Sequence, residues 1–400
     1  MKENLVIIGG GYSGCCLANM LKDRYDIRIV EKDRLLGGLC KTYYFEGMQY
    51  EYGPHIFANH NSTRRAIDFV KKYIALVPTK MATAAYINST VTPFPPSMAS
   101  AEALGLSESV RQEVDSLPAI AREDNFEQYL TDRVGPTLYK LYFDSFTKKF
   151  WGVNPGKLSA EWAKIRHLGE SLNDKEPFFN KRYCAYPKHD WNELFANIVS
   201  AETEIETACE VVGIDFDKNE IITGDGQRFS YHLLISTLAI DALFDFSLGR
   251  LDFAGYEIRP DVIDREWYLT YTGAPVSMVY YPGRETEYTR VTDYKTFNHK
   301  KDRPEYREKT IITREYPSKK NRFYPFYDDR NKRLLEKYLA MAATYSNVVT
   351  FGRLGLYKYL TVDTTTEMAF RLSAVLKMWP RLTVQKRYET YMQIRGEWYN

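Results

Sequence analysis

Residues 4–14 read NLVIIGGGYSG, an apolar run that ends in the glycine pattern G-x-G-x-x-G and leads into a predicted helix from Tyr12 to Leu21. A short, wholly apolar run is typical of a buried parallel strand. Gly9 permits a tight turn, Gly11 permits the backbone to approach a pyrophosphate, and Gly14 permits close packing of helix on strand. The helix N-terminus adds partial positive charge. The stretch therefore predicts a dinucleotide site.

An acidic residue and a second glycine pair follow this stretch. Glu31 ends the next predicted strand about 20 residues on, where a carboxylate can accept hydrogen bonds from ribose hydroxyls. The pair Gly37-Gly38 comes shortly after it. This arrangement resembles flavoproteins of the amine-oxidase and mutase type, whose second glycine turn also faces the cofactor, and the resemblance favours FAD over NAD. We expect Tyr12, Ser13 and Lys32 to contribute to the same site.

Later segments indicate that the sheet is assembled from distant parts of the chain. Residues 233–236 and 347–351 are predicted strands, and a helical pattern runs from about residue 366 to 378. Residues 100–150 have helical spacing of apolar side chains. Residues 255–320 contain runs typical of strands, TYTGAPVSMVYY and KTIITREYP, and a helix is predicted from residue 332 to 345.

We therefore predict an α/β protein with a discontinuous Rossmann-like FAD-binding domain, an inserted helical domain and an inserted antiparallel β-sheet domain. The predicted domain bounds are 1–85, 190–245 and 335–385 for FAD binding, 90–160 for the helical insertion, 161–189 and 246–334 for the sheet that binds substrate, and 386–400 for a C-terminal extension without an assigned role.

The composition excludes several classes of function. The 400 residues include 54 Lys and Arg against 52 Asp and Glu, so no broad basic field is available for nucleic acid or acidic lipid. The five cysteines show no metal-binding spacing, and we predict no metal. No signal-peptide pattern is seen, and no apolar run reaches the ~18 residues of a membrane helix. We expect a soluble, cytoplasmic protein without nucleic-acid or membrane partners.

A histidine-containing run narrows the family. Residues 50–57 read YEYGPHIF and resemble the histidine loop of UDP-galactopyranose mutases, in which a G-x-H-I-F run lies against the flavin. Further resemblances occur in the family's order at residues 147–152 (TKKFWG), 180–183 (NKRY), 288–290 (YTR), 310–317 (TIITREYP), 323–325 (FYP) and 351–359 (FGRLGLYKY). Together they cover about residues 4 to 378.

The resemblance implies roles for individual residues. It places His55 and Ile56 beside the flavin, Arg353 between flavin and substrate, and Asp363 near the flavin. Arg290 meets the substrate's pyrophosphate, which suits the bidentate fork of arginine. His55, Arg290 and Arg353 are the predicted catalytic residues. The other substrate contacts that it implies are Phe146 near the base, Thr147 and Trp151 at the sugar, and Tyr183, Tyr324 and Tyr359 at the diphosphate.

The activity implied by the resemblance is the interconversion of UDP-galactopyranose and UDP-galactofuranose for cell-surface polysaccharide synthesis. Reduced FAD acts through a covalent N5–sugar adduct without net redox change, and the family suggests a homodimer. Alternatives are a mutase for a GDP- or dTDP-linked hexose, an FAD-dependent amine or polyene oxidase, and a flavin-binding scaffold without catalysis.

Two departures from the family pattern lie near the predicted nucleotide and flavin. In bacterial members a mobile loop carries an arginine that clamps the diphosphate, whereas residues 167–175 contain no arginine. Lys175 and Arg182 are the candidates to replace it. The Y-D-M-H run that caps the flavin in the family is replaced by residues 360–363 (LTVD), and Asp363 is the candidate for its role.

Overall fold

The computed structural model describes residues 2–58, 64–170, 172–173, 183–297 and 304–396. Its strands are β1 (Glu3–Ile8), β2 (Tyr25–Val30), β3 (Thr42–Phe45), β4 (Met48–Glu51), β5 (Phe57–Ala58), β6 (Leu76–Pro78), β7 (Thr83–Ile87), β8 (Thr90–Pro93), β9 (Cys184–Pro187), β10 (Glu204–Glu206), β11 (Val211–Asp215), β12 (Glu220–Thr223), β13 (Arg228–Ser230), β14 (Leu233–Ser236), β15 (Phe253–Asp264), β16 (Met278–Tyr280), β17 (Arg290–Asp293), β18 (Lys309–Ser318), β19 (Tyr324–Pro325) and β20 (Val348–Thr350).

The α-helices of the same residues alternate with these strands along the chain. They are α1 (Tyr12–Leu21), α2 (Arg64–Lys71), α3 (Met98–Ala103), α4 (Ser107–Asp115), α5 (Phe126–Tyr139), α6 (Ser145–Trp151), α7 (Ala160–Ile165), α8 (Asn192–Ile198), α9 (Ile240–Leu243), α10 (Arg265–Thr272), α11 (Asp329–Thr344), α12 (Gly352–Gly355), α13 (Val362–Leu376) and α14 (Val384–Gly396).

A five-stranded parallel sheet has the order β10-β2-β1-β14-β20. Leu5 and Ile7 of β1 point into the main core, where α1 and α13 pack, and Val6 and Ile8 point to the opposite face, which the small sheet β11-β12-β13 covers. Both faces of β1 are therefore buried, which explains its continuous apolar sequence. The Rossmann-like α/β fold and its assembly from distant parts of the chain are confirmed.

A seven-stranded sheet has the order β19-β15-β18-β17-β16-β7-β8 and is antiparallel except where β16 pairs with β7. The strand predicted at residues 309–317 is confirmed as β18. The hairpin of β7 and β8 also belongs to this sheet, so the predicted boundary of the FAD-binding domain at residue 85 falls inside β7. Residues 184–187 form β9, which pairs with β5 and β6 in a separate three-stranded sheet.

The run at residues 270–281 was predicted as a strand, and this is wrong over its first part. Its first three residues end helix α10, and only Met278–Tyr280 forms a strand. The helix has a complete set of end signals, because the Asp264 side chain accepts from Trp267 N at 2.8 Å and Gly273 closes the C-terminus with a left-handed φ of 71°. These caps therefore favour a helix at residues 270–272, although the aromatic and β-branched residues of the run favour a strand.

The predicted C-terminal extension lies mostly in helix α14, which packs on α11. Arg387 is buried and donates from Nε to Ala343 O at 2.7 Å. Arg395 donates to Leu356 O and to Tyr357 O, the latter at 3.3 Å. The extension therefore anchors the segment that follows β20, a function that its sequence did not indicate. Within the described residues, no helix is long and apolar enough to cross a membrane.

Candidate active site

A cavity of about 990 Å³ lies between the parallel sheet and the seven-stranded sheet. The carboxyl ends of four parallel strands open into it, through Ile8, Val30, Thr237 and Gly352. In open α/β sheets this edge is where ligands bind. The volume is at the upper end of the range of about 300–1,000 Å³ that is usual for ligand sites.

The first glycine turn has the geometry that its sequence predicts. Gly9 has a φ of 97°, and a Cβ atom there would lie 2.1 Å from Thr237 Oγ1. A Cβ atom on Gly14 would lie 2.1 Å from Gly9 O, so helix α1 packs against the turn as closely as glycine allows. Gly11 lines the cavity and is the N-cap residue of α1, where the described part of the chain shows no side-chain capping bond. The N–H groups of this helix end therefore face the cavity.

Glu31 fixes the relation between the two glycine turns. Its carboxylate accepts from Gly10 N at 2.6 Å and from Asp33 N at 2.9 Å, and it still borders the cavity. Gly37 N donates to Gly10 O at 2.8 Å, and both Gly37 and Gly38 have positive φ. The two turns therefore form one hydrogen-bonded cradle. Of the predicted cofactor contacts, Tyr12, Ser13, Lys32 and Ile56 also line this cavity.

His55 lies beyond the cradle, held by a buried carboxylate. Glu51 Oε2 accepts from His55 N at 2.7 Å and lies 3.3 Å from His55 Nδ1. Tyr186 OH donates to the other oxygen of this carboxylate, and Tyr294 OH donates to Glu51 O at 2.8 Å. Burial alone would lower the pKa of His55, but the adjacent Cys40 and Glu51 raise it to about 10. The imidazole is therefore protonated at neutral pH.

Arg290, at the start of β17, is paired with Glu315 of β18. Its Nε and Nη2 donate to Glu315 Oε1 at 2.9 and 2.7 Å, and Glu315 is fully buried. Burial raises the pKa of Glu315 and Arg290 lowers it, with a net rise. Arg290 Nη1 turns toward Tyr280 OH at 3.4 Å, on the cavity wall. Glu315 therefore offsets much of the charge that Arg290 brings to the cavity.

Two further arginines flank Tyr359 and have no carboxylate partner among the described residues. Arg353 donates to Leu360 O at 2.6 Å, and its guanidinium lies 4.8 Å from the centre of the Tyr359 ring. Arg166 Nη1 donates to Tyr359 OH at 2.5 Å. Burial raises the pKa of a phenol, yet Arg166 and Arg353 lower the pKa of Tyr359. This end of the cavity is strongly cationic.

Sequence reasoning missed Arg166, which follows α7 directly and lines the cavity. It stands one residue before the stretch 167–175 in which an arginine was sought. Tyr324 stacks on Tyr359 with ring centres 5.8 Å apart, so both predicted tyrosines lie on this wall. Lys175 and Arg182, the predicted replacements for the loop arginine, lie outside the described residues.

Six predicted site residues do not line the cavity in this structure: Gly14, Phe146, Thr147, Trp151, Tyr183 and Asp363. Trp151 packs in the core against Trp162 and Phe326, with ring centres 5.1 and 5.5 Å apart. Phe146 stands behind Tyr280, and Thr147 is buried. Tyr183 lies under Lys71 Nζ at 4.9 Å, and Asp363 is buried where it accepts from Thr361 Oγ1. Their roles stay predictions.

Comparisons with known proteins identify the family of the chain. The sequence model of UDP-galactopyranose mutase matches residues 141–359, more than half of the chain. The chain belongs to the UDP-galactopyranose mutase family. It is therefore an isomerase of the pyranose–furanose mutase type. A model of the NAD(P)-binding Rossmann-like domain matches residues 7–73, which contain the glycine cradle.

Individual members of this family are similar to the chain over almost their whole length. The probable UDP-galactopyranose mutase of Klebsiella pneumoniae is 26% identical over 386 residues, which is 92% of this chain and 93% of the relative. The dTDP-fucopyranose mutase of Escherichia coli is 25% identical over 376 residues, which is 90% and 95%. A crystal structure of reduced UDP-galactopyranose mutase has the same fold, with a TM-score of 0.77 at 16% identity, covering 99% of this chain and 100% of the other.

Proposed function

We propose that the chain interconverts UDP-galactopyranose and UDP-galactofuranose with reduced FAD as cofactor. The observation that carries this proposal is one cavity that joins a dinucleotide cradle to a wall of arginine and tyrosine side chains. A nucleotide sugar placed between them would have its diphosphate at the cations and its sugar beside the flavin. The family match supports the reaction, and the shape of the cavity supports the order of the two ligands.

The cradle residues fit FAD. Gly11 borders the cavity, and its place is open, because a Cβ atom there would have only Gly38 Cα nearby, at 3.8 Å. The uncapped N-terminus of α1 suits the pyrophosphate, and Glu31 suits the ribose. Ser13 and Lys32 stand beside them. Other contacts would come from Gly9, Tyr12, Gly37, Gly38 and Ile56, which line the cavity. Gly14 and the buried Asp363 do not line it and stay candidates.

Charges at the other end of the cavity suit a diphosphate. Arg166 and Arg353 face the cavity without carboxylate partners among the described residues, whereas Arg290 shares its charge with Glu315. The two positive charges of Arg166 and Arg353 match the two negative charges of the diphosphate in a nucleotide sugar. In addition, the guanidinium fork of arginine binds phosphate bidentately. We therefore assign the diphosphate to Arg166, Arg353 and Tyr359, with Arg290 orienting it from the side of Tyr280.

Reduced FAD, when bound, would supply the nucleophile that displaces the nucleoside diphosphate from the anomeric carbon, without net redox change. The protein's contribution is position and charge. Arg353 and Arg166 stabilise the leaving diphosphate, and protonated His55 faces the flavin side of the cavity. Tyr324 and Tyr359 wall off the sugar from solvent. Phe146, Thr147, Trp151 and Tyr183 stay candidates for contacts with base and sugar.

The test is a comparison of donors. Protein reduced with dithionite is incubated with UDP-galactopyranose, dTDP-fucopyranose and a GDP-hexose, and products are separated by chromatography. We expect furanose from the UDP-sugar. If only the dTDP-sugar or the GDP-sugar is converted, that sugar is the donor in place of UDP-galactopyranose. If the substrate reduces the flavin and no furanose forms, an oxidase is favoured. Arg166→Ala and Arg353→Ala should lose turnover, whereas Arg333→Ala on the exposed face of α11 should not.

Two further expectations complete the proposal. By family analogy we propose a cytoplasmic homodimer that serves synthesis of a cell-surface polysaccharide. Light scattering of the purified protein tests the dimer, and a monomer at micromolar concentration would contradict it.

A further inference from the structure

Helix α6 carries three of the predicted substrate contacts, Phe146, Thr147 and Trp151, but none of them lines the cavity. Lys149, on the same helix, does not line it either. The Lys149 side chain contacts instead the loop of residues 281–289, which joins β16 to β17. The connection between α6 and the cavity therefore runs through this loop.

The ammonium group of Lys149 lies at the centre of the loop. Its Nζ donates to Gly283 O at 2.6 Å, to Tyr288 O at 3.0 Å and to Thr286 O at 3.2 Å. Three carbonyls match the three N–H donors of a lysine ammonium. Burial lowers the pKa of Lys149 to about 8 and the nearby Glu285 opposes this, so the charged form prevails at neutral pH. The loop is therefore folded around one cation.

The stem of this loop carries two residues of the cavity wall. Tyr280 ends β16 and Arg290 begins β17, and the two are paired in register. Tyr281 N donates to Thr289 O at 2.9 Å, which continues the pairing one step into the loop. Tyr288, whose carbonyl the ammonium holds, stands only two residues before Arg290. A displacement of the loop would therefore be transmitted to the guanidinium.

Helix α6 gives the loop a fixed support. Phe150 stacks on Tyr256 with ring centres 4.8 Å apart. Trp151 packs against Trp162 at 5.1 Å, and the helix also packs on β18. Lys149 therefore ties the loop to a helix that is anchored in the core.

We propose that Lys149 is a positioning residue for the substrate's diphosphate and acts through Arg290. By folding the loop around its ammonium, Lys149 fixes the paired Tyr280 and Arg290 at the stem. Arg290 Nη1, which lies 3.4 Å from Tyr280 OH, is then held in place before the diphosphate binds. The inference rests on the diphosphate site proposed above, but it concerns how that site is held and not which donor it takes.

Limited digestion with trypsin tests whether Lys149 holds the loop. Arg284 is exposed within the loop, and cleavage after it requires the loop to open. Lys149→Met removes the ammonium and keeps a long side chain. Lys148→Met is the matched control, because Lys148 lies on the same helix and pairs with Asp144 at 2.6 Å. We expect cleavage after Arg284 to be about tenfold faster in Lys149→Met and unchanged in Lys148→Met. Equal rates in both variants and the wild type would overturn the proposal.

Calorimetry with UDP and uridine, on the full-length protein with FAD bound, tests the consequence for the diphosphate. We expect Lys149→Met to weaken the binding of UDP about tenfold and to leave the binding of uridine unchanged. Lys149→Arg, which keeps the charge and the N–H donors, should retain the UDP affinity within about threefold. In the variant Arg290→Met, Glu315→Gln, the further change Lys149→Met should have no effect, because the residue through which Lys149 acts is absent.

The outcomes separate the inference from the proposed reaction. An equal UDP affinity in the wild type and Lys149→Met, or a further tenfold loss in the variant without Arg290, would overturn the positioning role. If no donor gives furanose but UDP affinity depends on Lys149 as expected, the proposed reaction is wrong and the positioning role is supported. A wild type that binds UDP no more tightly than uridine would overturn both.

Discussion

Replacing Arg290 with alanine should destabilise the protein by leaving the fully buried Glu315 carboxylate without its cation. Two hydrogen bonds, at 2.7 and 2.9 Å, are lost with it. Removing one partner of a buried ion pair costs about 3–5 kcal/mol. With an unfolding entropy of about 2.1 cal/mol/K per residue over 400 residues, this corresponds to a fall in Tm of about 4–6 °C.

The same change should make stability depend on pH. Burial already raises the pKa of Glu315, and loss of Arg290 removes the main opposing influence. A carboxyl group whose pKa is raised in the folded state binds more protons there than in the unfolded state, so stability is fully present at low pH and falls as pH rises. The Tm deficit of Arg290→Ala should therefore be larger at pH 8 than at pH 5.5.

Scanning calorimetry at the two pH values measures this, with the double variant Arg290→Met, Glu315→Gln as the control. The double variant should recover most of the Tm, because no buried charge is left unpaired, yet it should retain FAD and remain inactive. A Tm deficit that is equal at both pH values and persists in the double variant would show that the unpaired Glu315 carboxylate is not its cause. Loss of FAD from both variants would show that Arg290 belongs to the cofactor site.

Three other changes have expected outcomes. Arg166→Ala should raise KM for the donor about ten- to hundredfold, because charge-assisted hydrogen bonds contribute about 1.5–3 kcal/mol. It should also weaken the binding of UDP without affecting the binding of uridine. An unchanged UDP affinity, measured by calorimetry, would contradict the assignment of Arg166 to the diphosphate. Gly14→Ala should reduce FAD content measured by absorbance, because the new Cβ would meet Gly9 O, whereas Gly396→Ala has open space and should not. Arg395→Met should lower the free energy of unfolding by about 1–3 kcal/mol in urea titrations, because Arg395 donates to the carbonyls of Leu356 and Tyr357. It should also lower kcat, because these carbonyls lie in the segment that carries Arg353.

The cradle could be predicted from sequence because its signals are local. Strand β1, the glycine turn, helix α1 and strand β2 are contiguous, and burial of both faces of β1 explains its continuous apolar run. The positive φ of Gly9 and the close packing at Gly14 follow from the same pattern. The family resemblance then indicated distant residues, and the structure places His55, Arg290, Tyr324, Arg353 and Tyr359 around one cavity.

What sequence could not predict depends on tertiary contacts. Arg166 and Tyr359 are 193 positions apart, and nothing local to either residue indicates their hydrogen bond. The burial of Trp151 depends on Trp162 and Phe326, which come from other elements. Helix α10 was mistaken for a strand because aromatic content was weighed above its caps.

The number of furanose molecules formed per reduced flavin tests the proposed reaction directly. The protein is reduced with one equivalent of dithionite without oxygen, given excess UDP-galactopyranose, and followed by chromatography and flavin absorbance together. We expect many molecules of UDP-galactofuranose per reduced flavin, with the flavin still reduced at the end. One equivalent of reductant consumed per product, or no furanose while the flavin is reduced and the donor bound, would contradict it.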